Sequence, residues 1–255
     1  MSSETPVAKS KPLSPDAPPP DAATVERVIA RLEPLLLERR LARMRAVLAT
    51  RSDHVAFVFE RMTDPHNLSA ALRSLDAFSF QDAWWIAAGE KLALSHLISR
   101  GTHRWLSLHA ADGTAACLNA LRTQGYRVLA SHLGDQVAAS RRETAPNGNV
   151  PLTQIDLRQR TALVFGNEHA GVSSEVLALA DGRFHIDMLG FTESLNLSVA
   201  VAICAFHARR EIDRLRAETD DADAYLLAPT KRRALYARWL KDSVRRADAV
   251  LEGER

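Results

Sequence analysis

The stretch Ile186-Asp187-Met188-Leu189-Gly190-Phe191-Thr192-Glu193-Ser194-Leu195-Asn196-Leu197-Ser198-Val199-Ala200 decides how this chain folds, because it joins three kinds of local signal. A β-rich run over residues 184–186 ends where it begins. A polar connection containing Gly190 follows, and a helical pattern then predicts a long helix over residues 194–214. Residues 195–206 are apolar on nearly every face of that helix, which predicts deep burial. Ser194 and Asn196 stand at its start, where a short polar side chain can accept from otherwise free backbone N–H groups.

Outward from this stretch the same alternation repeats. Residues 55–59, 83–87, 127–131 and 162–165 read as strands, and the patterns at 68–77, 92–98, 114–124 and 174–179 read as helices. The βαβ rhythm predicts an α/β domain whose mostly parallel sheet carries helices on both faces. Such sheets bind ligands beyond the carboxyl ends of their strands. Two further polar segments lie there: Asp64-Pro65-His66-Asn67-Leu68-Ser69-Ala70-Ala71-Leu72-Arg73, and Leu163-Val164-Phe165-Gly166-Asn167-Glu168-His169-Ala170-Gly171-Val172. Asn67 at a helix start and Glu168 between strand and helix are both open to a capping use.

The ends of the chain differ from its middle. Residues 1–23, with Pro18, Pro19 and Pro20 in a row, are too poor in apolar residues to order themselves. Val25, Val28, Ile29, Leu32, Leu36, Leu37, Leu41, Met44 and Leu48 recur at helical spacing and predict a helical extension over 24–51, interrupted at Pro34. The central domain is expected over 52–217. An acidic break at 218–223 opens a C-terminal extension, 218–255, whose basic helix over 231–250 carries Tyr236 and Trp239, both expected to pack it. Residues 24–51 hold seven arginines against Glu26, Glu33 and Glu38, and residues 229–246 hold seven Lys and Arg against Asp242 alone. Residues 52–228 are acidic, with a net charge of −5. Two basic ends around an acidic body point to a polyanion held by the ends. Arg39, Arg40, Arg43, Lys231, Arg232, Arg233, Arg245 and Arg246 are the candidate contacts.

Several classes of function are disfavoured. No apolar run approaches the roughly 20 residues of a membrane span, and nothing at the start resembles a secretory signal, so a cytoplasmic protein is expected. Cys117 and Cys204 lie in apolar helical patterns without ligand spacing, and no metal site is expected. No GxGxxG follows a strand, so the usual dinucleotide fingerprint is absent.

Taken together, Asn67 with Arg73, Gly166 with Glu168 and Gly171, and Ser194-Leu195-Asn196 resemble the three motifs of the SpoU family of S-adenosylmethionine-dependent RNA 2'-O-methyltransferases, in the family's order and at similar spacing. The resemblance runs from about Val25 to Arg214. It implies a domain ending in a deep trefoil knot, a fold feature that periodicity could not predict, and a homodimer. It also implies catalytic roles for Arg73, Asn67, Glu168, Ser194 and Asn196. S-adenosylmethionine would be held largely by backbone groups at Ser131, Gly166, Ile186, Met188 and Leu195. Within the family, the short N-terminal helical extension and basic C-terminal helix look like the members that methylate the D-loop guanosine of tRNA. Enzymes acting on rRNA, which usually carry a separate N-terminal domain, and an RNA-binding module without catalysis are the alternatives. Phe191-Thr192-Glu193 and His169-Ala170 depart from the family's usual residues beside the motifs and bear on substrate choice.

Overall fold

The computed structural model describes residues 20–62, 64–87, 102–133, 148–167 and 170–253. The expected helix at 92–98 and nearly all of the expected N-terminal tail lie outside the described residues. The chain runs α1 (Ala22–Leu32), α2 (Glu38–Leu48), β1 (Val55–Glu60), α3 (Pro65–Ala77), β2 (Asp82–Ala87), β3 (Ser107–Asp112), α4 (Thr114–Thr123), β4 (Arg127–Ser131), β5 (Asn149–Pro151), β6 (Thr161–Phe165), α5 (Ser174–Leu179), β7 (Gly182–His185), α6 (Leu197–Ala217), α7 (Pro229–Ser243) and α8 (Ala247–Glu252).

Among the described residues all six strand pairings are parallel, in the order β3-β2-β1-β6-β4-β7-β5. β1 is buried at every position, as a central strand covered on both faces must be. Its alternate residues feed two cores. Val55, Phe57 and Phe59 meet Leu68, Leu72 and Leu75 of α3 and Val201, Cys204 and Ile212 of α6. Ala56 and Val58 meet Cys117, Leu118 and Leu121 of α4 and Val176 of α5. The connections after the neighbouring strands β1 and β6 therefore leave for opposite faces, and they part at the carboxyl edge where such sheets bind ligands.

The structure corrects the sequence reading in five places. β3 and β5 were not expected: Ser107-Leu108-His109-Ala110-Ala111-Asp112 lacks β-branched residues, and the three-residue β5 is an edge strand that tolerates Pro151. β7 lies at 182–185 rather than 184–186. The long helix starts at Leu197, capped by Asn196 and not by Ser194. It is not buried all round, for Val199, Ile203 and Phe206 stay exposed. The expected single C-terminal helix is two, broken where Arg246 takes a left-handed φ of 58° without a glycine or proline to signal it. At the other end the break at Pro34 is a short 3-10 turn, Glu33–Leu35, between α1 and α2.

The two basic ends, remote in sequence, form one helical unit. Val25, Ile29 and Leu32 of α1, Leu41, Met44 and Leu48 of α2, and Leu235, Tyr236, Trp239 and Leu240 of α7 share a third core. Tyr236 packs as expected and donates its hydroxyl to Glu33 at 2.9 Å. α7 is also fixed to the amino edge of the sheet, where Lys231 Nζ lies 2.8 Å from Asp53 Oδ2 and 2.9 Å from Asp82 Oδ2. Burial alone would raise the Asp82 carboxyl, but Lys231 and His109 outweigh it and hold it far below the usual carboxylate range. Burial likewise works to lower Lys231, and Asp82 and Asp53 outweigh it, so its ammonium is raised.

Lys231→Met should therefore destabilise the fold. Breaking a buried pair costs about 3–5 kcal/mol; the Lys231 side chain is 39% exposed, so solvent screening brings the expected loss to about 2 kcal/mol in urea unfolding. A loss below about 0.5 kcal/mol, the range of an ordinary surface substitution, would contradict this account. A depressed carboxyl stabilises above its unfolded pKa, and a raised ammonium below its own. The difference between wild type and variant should thus shrink below about pH 4 and again above about pH 10.

Candidate functional site

The first polar segment is shaped by its helix start. Asp64, not Asn67, caps α3: its Oδ1 accepts from His66 N at 2.8 Å, and Pro65 occupies the first turn. Asn67 is thereby released for another contact. Asn196 Nδ2 donates to Asn67 Oδ1 at 3.0 Å, while Asn196 Oδ1 accepts from Ser198 N at 2.9 Å. One amide thus caps α6 and ties the first motif to the third across 129 residues of sequence. Since its oxygen is engaged by the helix start, only its NH2 can face Asn67.

The second segment turns back on itself immediately after β6. Asn167 N donates to Gly171 O at 3.1 Å and Gly171 N to Asn167 O at 2.8 Å, closing a loop in which Gly171 has a φ of +65°. A Cβ on Gly166 would stand 2.0 Å from the carbonyl carbon of Gly171. Only glycine fits there, because the obstacle is backbone and cannot rotate away. The loop is anchored from β1: Glu60, 1% exposed, accepts from Ser173 N at 2.7 Å, and Asn167 Nδ2 donates to Arg61 O at 3.3 Å. Glu168 lies outside the described residues.

Between this loop, the end of β4 and the segment after β7 lies a cavity of about 540 Å³. All five expected donor-binding positions, Ser131, Gly166, Ile186, Met188 and Leu195, line it, as does Ser194. Its apolar wall includes Phe165, Val172, Phe184 and Leu197, and its polar groups include His132, His185, Asn167 and Glu193. Residues 186–196 form no helix or strand, so their backbone is not committed to a regular ladder, although Asn196 O accepts from Val199 N and Ala200 N at the start of α6. A cavity of this size, with an apolar wall, a few polar groups and an irregular backbone segment beside it, suits a nucleoside bearing a charged tail. The sequence reading missed His132 and His185. His185 lies inside the expected strand 184–186, but only the structure shows that it closes β7 and pairs with Asn149 Oδ1 at 3.1 Å and Asp187 Oδ1 at 3.3 Å.

Arg73 is not part of this lining. It is exposed, makes no hydrogen bond or ion pair among the described residues, and lies six residues along α3 from Asn67, about 9 Å at the helical rise. Beside it runs an apolar groove of about 390 Å³, bounded by Ala70 and Ser74 of α3, by Phe78 just after it, and by Val199, Ile203 and Phe206 of α6. A single chain thus places Ser194 in the cavity's lining and ties Asn67 to Asn196, which stands between the lining residues Leu195 and Leu197, while Arg73 stays outside.

The expected basic contacts divide. Lys231 is held by Asp53 and Asp82, Arg232 by Asp223 at 2.5 Å, and Arg233 by Glu26 at 2.5 Å, so these charges are compensated inside the chain. Arg40 donates to Ser243 Oγ at 3.1 Å. Arg39, Arg43, Arg245 and Arg246 are exposed and form no ion pair among the described residues.

Residues 54–206 match the model of the SpoU rRNA Methylase family. The chain is 33% identical over 204 residues to a tRNA (guanosine(18)-2'-O)-methyltransferase of Thermus thermophilus, a match covering 80% of this chain and 97% of that protein. In structure it is similar to the A. aeolicus TrmH/SpoU tRNA modifying enzyme, with a TM-score of 0.66 and 28% identity over 82% of this chain and 98% of that one. It is also similar to an AdoMet-bound rRNA methyltransferase from Sinorhizobium meliloti, with a TM-score of 0.51 and 25% identity, over 64% of this chain and 58% of that one.

Proposed function

Because this chain belongs to the SpoU rRNA Methylase family, we propose that it methylates the ribose 2'-hydroxyl of guanosine 18 in tRNA, working as a homodimer with each site shared between two chains. Membership makes it an RNA 2'-O-methyltransferase that uses S-adenosylmethionine. The tRNA assignment rests on the T. thermophilus and A. aeolicus relatives, which match most of the chain.

The cavity after β4, β6 and β7 suits S-adenosylmethionine. Phe165, Val172 and Phe184 offer apolar surface to its adenine, and Gly166 and residues 186–195 offer backbone groups to its polar edges. When bound, that group supplies an activated methyl. The chain's own residues must orient the ribose, stabilise the charge that grows on its 2'-oxygen and keep water out. We assign Arg73 to the second task, as a guanidinium held against the alkoxide or the neighbouring phosphate. A guanidinium is by its chemistry a poor proton acceptor, which leaves Arg73 the stabilising role. Asn67, Ser194, Asn196 and Glu168 are assigned to positioning around it.

The observation that carries this reading is the Asn196–Asn67 hydrogen bond, which joins the catalytic segments of α3 and α6 beside the cavity. The absence of Arg73 from the cavity supports the dimer. The exposed groove next to it, with Phe206 at 54% and Val199 at 45% exposed, is a surface that a second copy would cover, bringing its own cavity to Arg73. The reading also includes the family's trefoil knot, supported by β7 lying between β4 and β5 before α6 returns to α3. Among the described residues no helix is long and apolar enough to cross a membrane, and we place the activity in the cytoplasm. Arg39, Arg40, Arg43, Arg245 and Arg246 are the proposed phosphate contacts, with the compensated Lys231, Arg232 and Arg233 left to structural roles.

Incubating the protein with methyl-labelled S-adenosylmethionine and unmodified tRNA should transfer label to RNA. Binding of tRNA without any transfer would instead identify a non-catalytic module.

A further inference from the structure

A second cavity, of about 310 Å³, opens where the helical unit meets the central domain, away from the methyl-donor cavity. Arg40, Arg43, Met44 and Val47 of α2 line one side, spaced so that they form a single stripe on that helix. Trp105 and Trp239 line the other, with ring centroids 5.4 Å apart and planes at 89°. The deeper wall is already electrostatically committed. Arg51, fully buried, donates to Phe80 O and Asp76 and lies 5.5 Å from the centre of the Trp239 ring, yet its buried Nε–H has no partner. The rim is not committed: among the described residues Arg43 forms no ion pair, and Arg40 donates to the neutral Ser243 hydroxyl. Asp76 offsets Arg51, and the cavity keeps the charge of Arg40 and Arg43 above an aromatic and apolar floor.

We propose that this cavity receives one unstacked nucleotide of the bound RNA, its base against Trp105 and its phosphate on Arg40 and Arg43. Proteins read RNA by drawing splayed nucleotides onto aromatic rings and guanidinium planes while cations hold the backbone, and this cavity combines those parts at the size of a small-ligand site. It would give the enzyme a hold on tRNA distinct from the target nucleotide, through Trp105, a residue outside both basic extensions. This inference rests on the tRNA reading above.

The test measures full-length protein binding to tRNA against salt, with S-adenosylmethionine affinity as the control for folding. Trp105→Leu should weaken tRNA binding about tenfold, the scale of one base–aromatic stack, with an unchanged salt slope, and Trp105→Phe should recover most of the loss. Arg43→Ala, at an exposed position, should weaken binding and flatten the log-affinity against log-salt slope by roughly 0.7–0.9. Because one nucleotide would bridge both residues, the double variant should lose less than the product of the single losses. Wild-type affinity in both single variants, or losses that multiply independently, overturns the proposal. So does binding of free guanosine 5'-monophosphate at the tryptophans, read by their fluorescence, if tRNA affinity is unaltered in the variants. Failure of the wild-type protein to bind tRNA at all would overturn the tRNA reading itself.

Discussion

Arg73→Ala is expected to lower methyl transfer at least about a hundredfold, the effect of removing about 2.7–4 kcal/mol of transition-state stabilisation, while S-adenosylmethionine binds as before. The split follows from geometry, since Arg73 lies outside the cavity that all five positions proposed to bind the donor line. Arg73→Lys should fail as well, because a point charge does not reproduce the planar donor fork of a guanidinium. Retention of more than about a tenth of wild-type turnover would remove Arg73 from the catalytic role on that same scale. Mixing Arg73→Ala chains with chains whose donor cavity is disabled tests where it acts. If Arg73 serves the partner's cavity, mixed dimers contain one complete site and activity returns; if it serves its own, none does.

Gly166→Ala provides the disabled cavity, and it is the second large effect. The added methyl would sit 2.0 Å from backbone carbon and 2.1 Å from backbone oxygen of Gly171, far inside contact distance. Ordinary overpacking costs about 1–3 kcal/mol because side chains can move. Here the loop itself must move, and it carries Asn167 and Val172, both part of the donor cavity. Donor affinity should fall by about a hundredfold or more, corresponding to the upper end of that strain, as measured by calorimetry. Global stability should fall as well, because Val172, which moves with the loop, belongs to the core under α4 and α5. An unchanged donor affinity would mean that the cavity is not the donor site.

How much of this was written in the sequence varies with the range of the interaction. The strands β1, β2, β4 and β6 were legible because they are short apolar runs bounded by polar turns, and α5 because residues 174–179 follow a helical pattern. β3 was not, since Ser107-Leu108-His109-Ala110-Ala111-Asp112 becomes a strand only by pairing with β2 along its whole length. The motif residues were legible as polar groups at strand ends. Their division of labour was not: nothing local says that Asp64 rather than Asn67 caps α3, which leaves Asn67 for Asn196. Charge counting found the two basic ends but could not see that α1, α2 and α7 share one core, or that Glu26, Asp53, Asp82 and Asp223 neutralise three of the cations assigned to RNA. Trp105 carried no motif and acquires meaning only beside Trp239 and the α2 stripe.

The central claim is that this chain methylates a ribose hydroxyl at one defined place in tRNA. Its most direct test is mass-spectrometric mapping of a tRNA transcript after reaction with the protein and S-adenosylmethionine. The account predicts 2'-O-methylguanosine at position 18 and no methyl group elsewhere. A methyl group on a base, or transfer to rRNA fragments with none to tRNA, would contradict it.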